Sequence, residues 1–101
     1  MVVISYRTIR EFSEDYADST DALNNWYSIM EKADFANFSE LRSVFNSVDA
    51  VGNDRYVFNI KGNHYRLIAL IHFNIRTAYV LFVGTHAAYN KVDASKVRFK
   101  N

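Results

Sequence analysis

Two polar interruptions break the most hydrophobic part of this 101-residue sequence. The first, Lys61-Gly-Asn-His64, separates two apolar runs and is followed by Arg66. The second, Gly84-Thr-His86, ends the next apolar run and is followed by Tyr89. Lysine and arginine bind anions, and histidine can donate or accept a proton near neutral pH. Together, such residues could bind a phosphate group and transfer protons around it.

This set of residues does not favour a metal site. Mg²⁺ requires oxygen ligands, and no carboxylate is expected beside these residues. His64 and His86 lack the third ligand that zinc would need, and the neighbouring cations oppose it. RNA supplies its own nucleophile, the 2′-hydroxyl, so its cleavage needs only a base, an acid and cations. We therefore expect neither a metal nor a cofactor.

A hairpin with a two-residue turn at Gly62-Asn63 would place the first interruption at one end of a sheet. This register separates apolar from polar side chains, and a one-residue slip would mix them. The apolar pairs are Ile60 with Tyr65, Phe58 with Leu67 and Tyr56 with Ala69, and the polar pairs are Asn59 with Arg66 and Lys61 with His64.

A second hairpin with a three-residue loop, 74–76, would bring in the second interruption. The predicted pairs are Phe73 with Thr77, Ile71 with Tyr79, Ala69 with Leu81, Leu67 with Val83, Arg66 with Gly84 and His64 with His86. Cross-strand neighbours have Cβ atoms about 5 Å apart. One polar rim should therefore form from Asn59, Lys61, His64, Arg66 and His86, with Thr85 and Tyr89 close by.

Each residue also has an ordinary structural explanation. Lys61 could be a solubilising turn residue, and His64 an inert surface histidine. Arg66 could pair with Asp54 or Asp93. Tyr89 could close the core.

The elements that would position the rim follow from hydrophobic spacing and turn signals. They are a strand at Val2–Ile4, a helix over 7–16, a second from an N-cap within Asp18–Asp21 to about Ala33, a short third from a Ser39 cap to about Phe45, strands over 55–60, 64–73 and 77–83, a helical turn over 86–91 and a last one opened by Asp93. Trp26 and Tyr27 share an apolar stripe with Leu23 and Met30, so we assign them to packing. The layout predicts one α+β domain over residues 1–101, with helices on one face of an antiparallel sheet.

Composition limits the functional classes. Cysteine is absent, which excludes disulfides and thiolate metal sites. No leader or membrane-length apolar run is visible, so we expect a cytoplasmic protein. Residues 1–50 hold nine acidic and four basic residues, a net charge of −5, whereas residues 51–101 hold two and eight, a net charge of +6. This asymmetry fits an anionic partner for the second half, and equally fits solvated acidic helices beside an ordinary sheet.

Two segments resemble the HigB family of toxins, which belongs to the RelE-like superfamily of toxin–antitoxin systems. They are VGNDRYVFNIKGNHYRLIA at 51–69 and VGTHAAYNKVDA at 83–94. The paired patterns VFNIKGN.YRL and GTHA.Y at this spacing are specific, whereas either alone is weak. The resemblance extends over about residues 2–95.

The resemblance implies a RelE-like fold, in which two N-terminal helices pack on a small, mainly antiparallel sheet. It implies an endoribonuclease that cuts messenger RNA on the translating ribosome, and a helix-turn-helix antitoxin, HigA, which binds operator DNA. Lys61, Arg66, His86 and His64 are then the candidate catalytic residues. The candidate RNA-binding residues are Asn59, Asn63, Thr85, Tyr89 and Lys91.

Two departures leave other functions open. The family often has acidic residues where this chain has Ala88 and Asn90. An inactive toxin is therefore one alternative. A second is a non-nucleolytic toxin that binds a protein such as DNA gyrase, as ParE-like relatives do, because fold does not fix function.

Overall fold

A five-stranded sheet forms the centre of the protein, and the computed structural model describes residues 1–98. The spatial strand order is β1-β5-β4-β3-β2, with β1 parallel to β5 and all other neighbours antiparallel. In chain order the elements are β1 (Val2–Ile4), α1 (Tyr6–Asp15), a 3₁₀ turn (Ala17–Ser19), α2 (Thr20–Lys32), α3 (Phe38–Val44), β2 (Asp49–Gly52), β3 (Arg55–Ile60), β4 (Tyr65–His72), a second 3₁₀ turn (Phe73–Ile75), β5 (Thr77–Thr85) and α4 (His86–Tyr89). The predicted α+β fold is confirmed.

The first two helices bury their apolar stripes against one face of the sheet. Ile9 of α1 and Leu23 of α2 are completely buried, and Trp26 is nearly so. The Trp26 ring meets Phe58 of β3 edge-on, with ring centroids 5.3 Å apart. Trp26 is therefore a core residue, as its helical spacing predicts.

The helix starts differ in detail from the prediction. Helix α2 begins after Ser19, but the Ser19 hydroxyl donates to the Tyr16 carbonyl and caps nothing. Helix α3 is capped by Asn37, whose Oδ1 accepts from the Glu40 amide at 2.9 Å, so the predicted Ser39 cap is wrong. The helical turn predicted to open at Asp93 is present as a single turn over 93–96, in which the Asp93 carbonyl accepts from the Lys96 amide at 3.0 Å. There, the Asp93 carboxylate accepts from the Ser95 amide and hydroxyl in a turn.

The sequence pattern missed strand β2. It is only four residues long, and Val51 is its one half-buried side chain. Its pairing with β3 is interrupted by a bulge after Ala50. Gly52, Asn53 and Asp54 all have positive φ, so the chain turns here through left-handed residues that hydrophobic periodicity does not report.

The β3–β4 register is confirmed over its whole length. Phe58 pairs with Leu67 and Asn59 with Arg66, up to Ile60 with Tyr65. The Lys61 carbonyl accepts from the His64 amide at 3.2 Å across the Gly62-Asn63 turn.

The β4–β5 register is predicted correctly at one end only. At the loop the structure pairs Leu70 with Tyr79 and Ile71 with Ala78, so the expected Ile71–Tyr79 pair is wrong. Four residues, 73–76, close this hairpin, and Arg76 takes a left-handed φ of 51°. A bulge at Leu81 then absorbs one residue. Beyond the bulge the predicted Leu67–Val83 and Arg66–Gly84 pairs are present.

Strand alternation gives the sheet a second face, directed away from the helices, which carries Asn59, Arg66, Ile68 and Phe82 and which we call the outer face. Asn53 and Arg55 donate to the carbonyls of Ser95 and Val97. The chain after α4 thus contacts the outer face at the start of β3. Ile68 of the same face is completely buried. No helix within residues 1–98 has the length and apolar character to cross a membrane.

Candidate functional site

The candidate residues lie where the β3–β4 turn, the start of β4, the end of β5 and helix α4 meet. Pairing of Arg66 with Gly84, and of Tyr65 with Thr85, ends the β4–β5 ladder at this point. Helix α4 follows at once because Thr85 is its N-cap, and Thr85 Oγ1 accepts from the Ala88 amide at 3.1 Å. Thr85, predicted to bind RNA, therefore already has a structural role in starting α4.

Arg66 is the central cation of the outer face. Its guanidinium carbon lies 5.7 Å from the centroid of the Tyr89 ring, within cation–π range. It forms no ion pair with a carboxylate of residues 1–98. Asp54 lies 4.0 Å from His72, and Asp93 lies 3.9 Å from Lys96, so neither pairs with Arg66 as the structural alternative supposed. The Arg66 charge is therefore available for an anionic ligand.

Gly84 makes room for an aromatic ring beside Arg66. A Cβ atom on Gly84 would lie 2.4 Å from Cζ of Phe82, well inside contact distance. The Phe82 ring therefore lies over the Gly84 backbone, directly across the ladder from Arg66. The sequence alone does not single out Phe82; the signal that could have done so is the glycine within an apolar strand.

His86 is the first residue of α4 and is exposed. Its Nδ1 lies 3.3 Å from Nδ2 of Asn90, one helical turn later. When the Asn90 amide donates in this contact, the neutral imidazole carries its proton on Nε2. Asn90 thus orients His86 without adding a negative charge.

His64 has the opposite arrangement. Its Nδ1 lies 2.8 Å from the Lys61 carbonyl oxygen, and only a protonated Nδ1 can donate to that acceptor. In the neutral ring this leaves the Nε2 lone pair free. The predicted pairing of His64 with His86 lies beyond the last ladder pair, Tyr65 with Thr85.

Lys61 does not share the outer face with Arg66. Its φ of 52° places it in the left-handed region, outside the strand ladder. Its ammonium lies 2.9 Å from Asp18 Oδ2, in the 3₁₀ turn between α1 and α2. Asp18 Oδ1 accepts from the Tyr65 hydroxyl at 2.5 Å, and Tyr65 belongs to the helix-side core. Lys61 is thus directed towards the helices, and the expectation that no carboxylate lies beside these residues is wrong.

The two hydrogen bonds to Asp18 shift pKa values in opposite directions. Donation from Lys61, and then from Tyr65, holds the pKa of Asp18 below its usual 3.8. The Asp18 carboxylate raises the pKa of Tyr65 to about 12, because it accepts the phenol's proton in a hydrogen bond. Asp18 is therefore ionised and Tyr65 neutral at physiological pH.

The remaining predicted RNA-binding residues surround Arg66 less tightly. Asn59 is half-buried and lies directly across the ladder from Arg66 on the same face. The Asn63 carbonyl lies 3.4 Å from an Arg66 terminal nitrogen. Lys91 is exposed just after α4. Within residues 1–98, no group of three or more histidine, aspartate or glutamate side chains is placed to hold a metal ion.

The fold and the site together define a small α+β protein that presents an unpaired arginine, an aromatic ring and a histidine-bearing helix at one end of its sheet. Comparison with known proteins identifies the family. The sequence model of the HigB toxin family, the RelE-like toxic component of a toxin–antitoxin system, matches residues 19–92. The chain belongs to this family, and an antitoxin is therefore its expected partner. The matched segment contains every predicted site residue, and Asp18 precedes it by one position.

Curated relatives agree with the family match. The protein named mRNA interferase HigB from Escherichia coli O6:H1 strain CFT073 is 31% identical over 94 residues, 91% of each chain. The protein named mRNA interferase toxin HigB from Escherichia coli K12 is 28% identical over 92 residues, 89% of this chain and 88% of the relative. A Shigella flexneri protein named mRNA interferase HigB is 28% identical over the same shares of the two chains.

Proposed function

We propose that this protein is a toxin that acts as an mRNA interferase, an endoribonuclease that cuts translated messenger RNA on the ribosome without a metal ion. The names of its relatives support the activity. The observation on this chain that carries the proposal is Arg66. It is an arginine without a carboxylate partner among residues 1–98, and it contacts Tyr89, which lies on the same short helix as His86.

The reaction that suits this arrangement uses the 2′-hydroxyl of RNA as its nucleophile. The 2′-oxygen attacks the adjacent phosphorus, and the bond from phosphorus to the 5′-oxygen breaks. A base removes the 2′ proton and an acid protonates the leaving 5′-oxygen, which leaves a 2′,3′-cyclic phosphate and a 5′-hydroxyl. Arg66 stabilises the charge that develops on the phosphate oxygens and can do so with two parallel hydrogen bonds.

The hydrogen bonds of the two histidines suggest how the proton-transfer roles are divided. His64 donates from Nδ1 to a carbonyl and keeps a lone pair on Nε2, as a base requires. His86 accepts at Nδ1 from Asn90 and keeps a proton on Nε2, directed away from that contact. We assign His64 as the base and His86 as the acid. Before the reaction His86 takes up a proton at Nδ1, which then donates to the Asn90 side-chain oxygen once the amide has turned, and during the reaction the imidazolium releases its Nε2 proton to the leaving oxygen.

The other residues bind and place the RNA. Tyr89 stacks on a base or orients a nucleotide beside Arg66. Asn59 and Asn63 offer amide groups to the sugar–phosphate chain, and Lys91 adds a cation beyond α4. Thr85 fixes the start of α4, and Lys61 supplies a second cation once it leaves Asp18.

Dependence on the ribosome is supported by how few of the basic side chains within residues 51–98 remain without a partner. In the basic half of the chain, Lys61 pairs with Asp18, Arg76 with Asp34 and Lys96 with Asp93, and Arg55 binds the Val97 carbonyl. Affinity for a nucleic acid backbone grows with the number of phosphates that a protein neutralises. We infer that the protein alone binds RNA weakly, and that the ribosome presents the message to it.

The antitoxin that we propose is of the HigA type, a helix-turn-helix protein that neutralises the toxin and binds operator DNA. The toxin itself would touch that DNA only through the antitoxin. The support is family membership, since the HigB family is the toxic component of a toxin–antitoxin system.

The test is induced expression of the parent and of R66A, H86A and K61A, followed by mapping of transcript ends. The parent should arrest growth and cut translated messages. R66A and H86A should be folded and nearly inactive, whereas R42A, which removes an exposed arginine of α3, should behave as the parent. Blocked DNA supercoiling with intact transcripts would replace this proposal with the gyrase-binding alternative. If R66A and H86A were as toxic as the parent, the assignment of the toxic activity to this site would be wrong.

The division of roles between the histidines has its own test. Removal of a base should abolish the acidic limb of the pH–rate profile, and removal of an acid should abolish the basic limb. We expect H64A to lose the acidic limb and H86A the basic limb in ribosome-dependent cleavage. The reverse result would exchange the two roles, and unchanged limbs in both variants would exclude both histidines.

A further inference from the structure

The best-defined polar cluster outside the outer face is formed by Asp18, Lys61 and Tyr65. Both carboxylate oxygens of Asp18 accept a hydrogen bond, one from the Lys61 ammonium at 2.9 Å and the other from the Tyr65 hydroxyl at 2.5 Å. The Asp18–Lys61 pair joins two turns whose residues are 43 positions apart in sequence, the turn before α2 and the turn between β3 and β4. It is the only contact of residues 1–98 in which a candidate catalytic side chain meets a carboxylate.

Asp18 is held in place from two sides. The adjacent Ser19 is completely buried, and its hydroxyl donates to the Tyr16 carbonyl, which fixes the turn. Tyr65 is fixed by ring contacts with Phe12 and Tyr16, at centroid distances of 5.3 and 5.7 Å. The carboxylate is therefore a pre-positioned partner for any cation that reaches it.

Lys61, in contrast, can leave. Its side chain is 43% exposed and that of Asp18 is 52% exposed, and an ion pair so open to water contributes little stability. The four-carbon stem of lysine is flexible, and its ammonium is a compact charge with three donors that can turn to another anion within reach. A phosphate group near the turn would therefore compete directly with Asp18 for Lys61.

Strand alternation determines what this competition does. Tyr65 and Arg66 are consecutive in β4, so their side chains project to opposite faces of the sheet. Asp18 holds Lys61 on the face of Tyr65, away from Arg66. Its negative charge also repels a phosphate that approaches from that side.

We propose that Asp18 is a positioning residue that acts through Lys61: it withholds this cation from RNA until a phosphate displaces the carboxylate. The inference rests on the proposed function, because it assumes that the phosphate bound at Arg66 is that of RNA. In the free protein, Arg66 is available to the phosphate and Lys61 is not. Once RNA is bound, Lys61 moves to the substrate and Asp18 keeps only its bond to Tyr65.

The test compares D18N with D21N, which removes the same charge from the same segment. Asp21 lies in the first turn of α2 and forms no ion pair within residues 1–98. The probe is a short single-stranded RNA with 2′-O-methyl groups, which lacks the nucleophile and cannot be cut. Affinity is measured over a range of salt concentrations for the parent, D18N, D21N, K61A and D18N/K61A, and cleavage of translated mRNA is measured in parallel.

D18N should bind this RNA about 2- to 5-fold more tightly than D21N at low salt, since it frees one exposed ion-paired cation. The slope of log affinity against log salt should steepen by about 0.7, the value for one additional phosphate contact on a single strand. Both gains should vanish in D18N/K61A. Y65F, which leaves the Asp18–Lys61 pair intact, should bind as the parent does.

Equal affinity and slope for D18N and D21N would overturn the inference, and so would weaker binding by D18N. A gain that persists without Lys61 would overturn it as well. These outcomes leave the proposed function standing if the parent still cuts translated mRNA. If the parent leaves mRNA intact while D18N still gains affinity through Lys61, the proposed function fails and the role of Asp18 stands.

Discussion

Arg66 and Lys61 lie five residues apart in one hairpin, yet their side chains point in different directions and have different partners. Arg66 is within β4, so the alternation of the strand directs it to the outer face, where it contacts Tyr89. Lys61 is in the turn with a left-handed backbone, so the ladder does not set its direction, and it pairs with Asp18. The side-chain direction of a strand residue follows from register, whereas that of a turn residue depends on distant partners.

The difference has a functional consequence. An arginine without a carboxylate partner can bind a substrate phosphate at once, whereas a paired lysine must first exchange one anion for another. Cleavage should therefore depend more strongly on Arg66 than on Lys61. Substitutions at these two residues and at their neighbours test this difference in the dependence of cleavage.

The largest effect is expected for Arg66. R66A should lower the rate of ribosome-dependent cleavage by about 100- to 1,000-fold, the usual loss when a donor to a developing oxyanion is removed. R66K should recover only part of the rate, since lysine cannot form two parallel hydrogen bonds. Single-turnover cleavage of a translated message measures both, and thermal unfolding shows whether the variants remain folded. An R66A protein that cuts at the parental rate would contradict the assignment.

The second effect concerns the packing of the Phe82 ring on Gly84, the residue that pairs with Arg66 across the ladder. G84A should destabilise the fold by about 2 kcal/mol, a factor of about 30 in the folding equilibrium, because the new methyl group overlaps the Phe82 ring. Urea unfolding measures this change. G84A/F82A should lose much less than the sum of the single variants, since the overlap is then relieved. Additive losses would show that Phe82 is not the obstacle.

A smaller effect is expected for Lys61. K61A should lower the cleavage rate by about 10-fold, less than R66A, because part of what Lys61 gives the substrate is offset by its lost bond to Asp18. The same single-turnover assay measures it, with K96A as the matched control, since Lys96 also pairs with an aspartate but lies away from the turn. If K61A lost as much cleavage rate as R66A, the claim that cleavage depends more strongly on Arg66 than on Lys61 would be wrong.

The smallest effect is the pH dependence of stability. The pKa of Asp18 is lowered in the folded protein, so its contribution is present above the unfolded value near 3.8 and is lost as the pH falls through the folded value. The pKa of Tyr65 is raised to about 12, so its contribution is present below about pH 10 and is lost as the pH rises towards 12. The difference in unfolding midpoint between the parent and D18N should therefore narrow in acid. A constant difference down to about pH 2 would contradict the Asp18 hydrogen bonds.

Local pattern was sufficient for the parts of the site that lie in regular strands. The apolar alternation of β3 and β4 gave the Asn59–Arg66 pair, because any other register would have placed polar side chains in the core. The Arg66–Gly84 pair was also predicted, although the assumed loop was one residue too short. A bulge at Leu81 compensates for that error before the site is reached.

Two kinds of feature could not be predicted from the sequence: contacts between residues far apart in the chain, and elements with too weak a hydrophobic pattern. The sequence around Asp18 predicts only a helix cap, and nothing local indicates that its carboxylate reaches a turn 43 residues later. Strand β2 has too few buried side chains to show a period. Phe82 has the sequence pattern of an ordinary apolar strand residue. Only the structure shows that its ring occupies the space where a Cβ of residue 84 would be.

The most direct test of the central claim is to map RNA ends in a translating extract, with and without ribosomes, for the parent and R66A. We expect cuts in the translated message only when ribosomes and the parent protein are both present. Each cut should leave a 2′,3′-cyclic phosphate and a 5′-hydroxyl, and a chelator should not prevent it. Cuts that leave other ends, that require a metal ion, or that R66A makes equally well would contradict it.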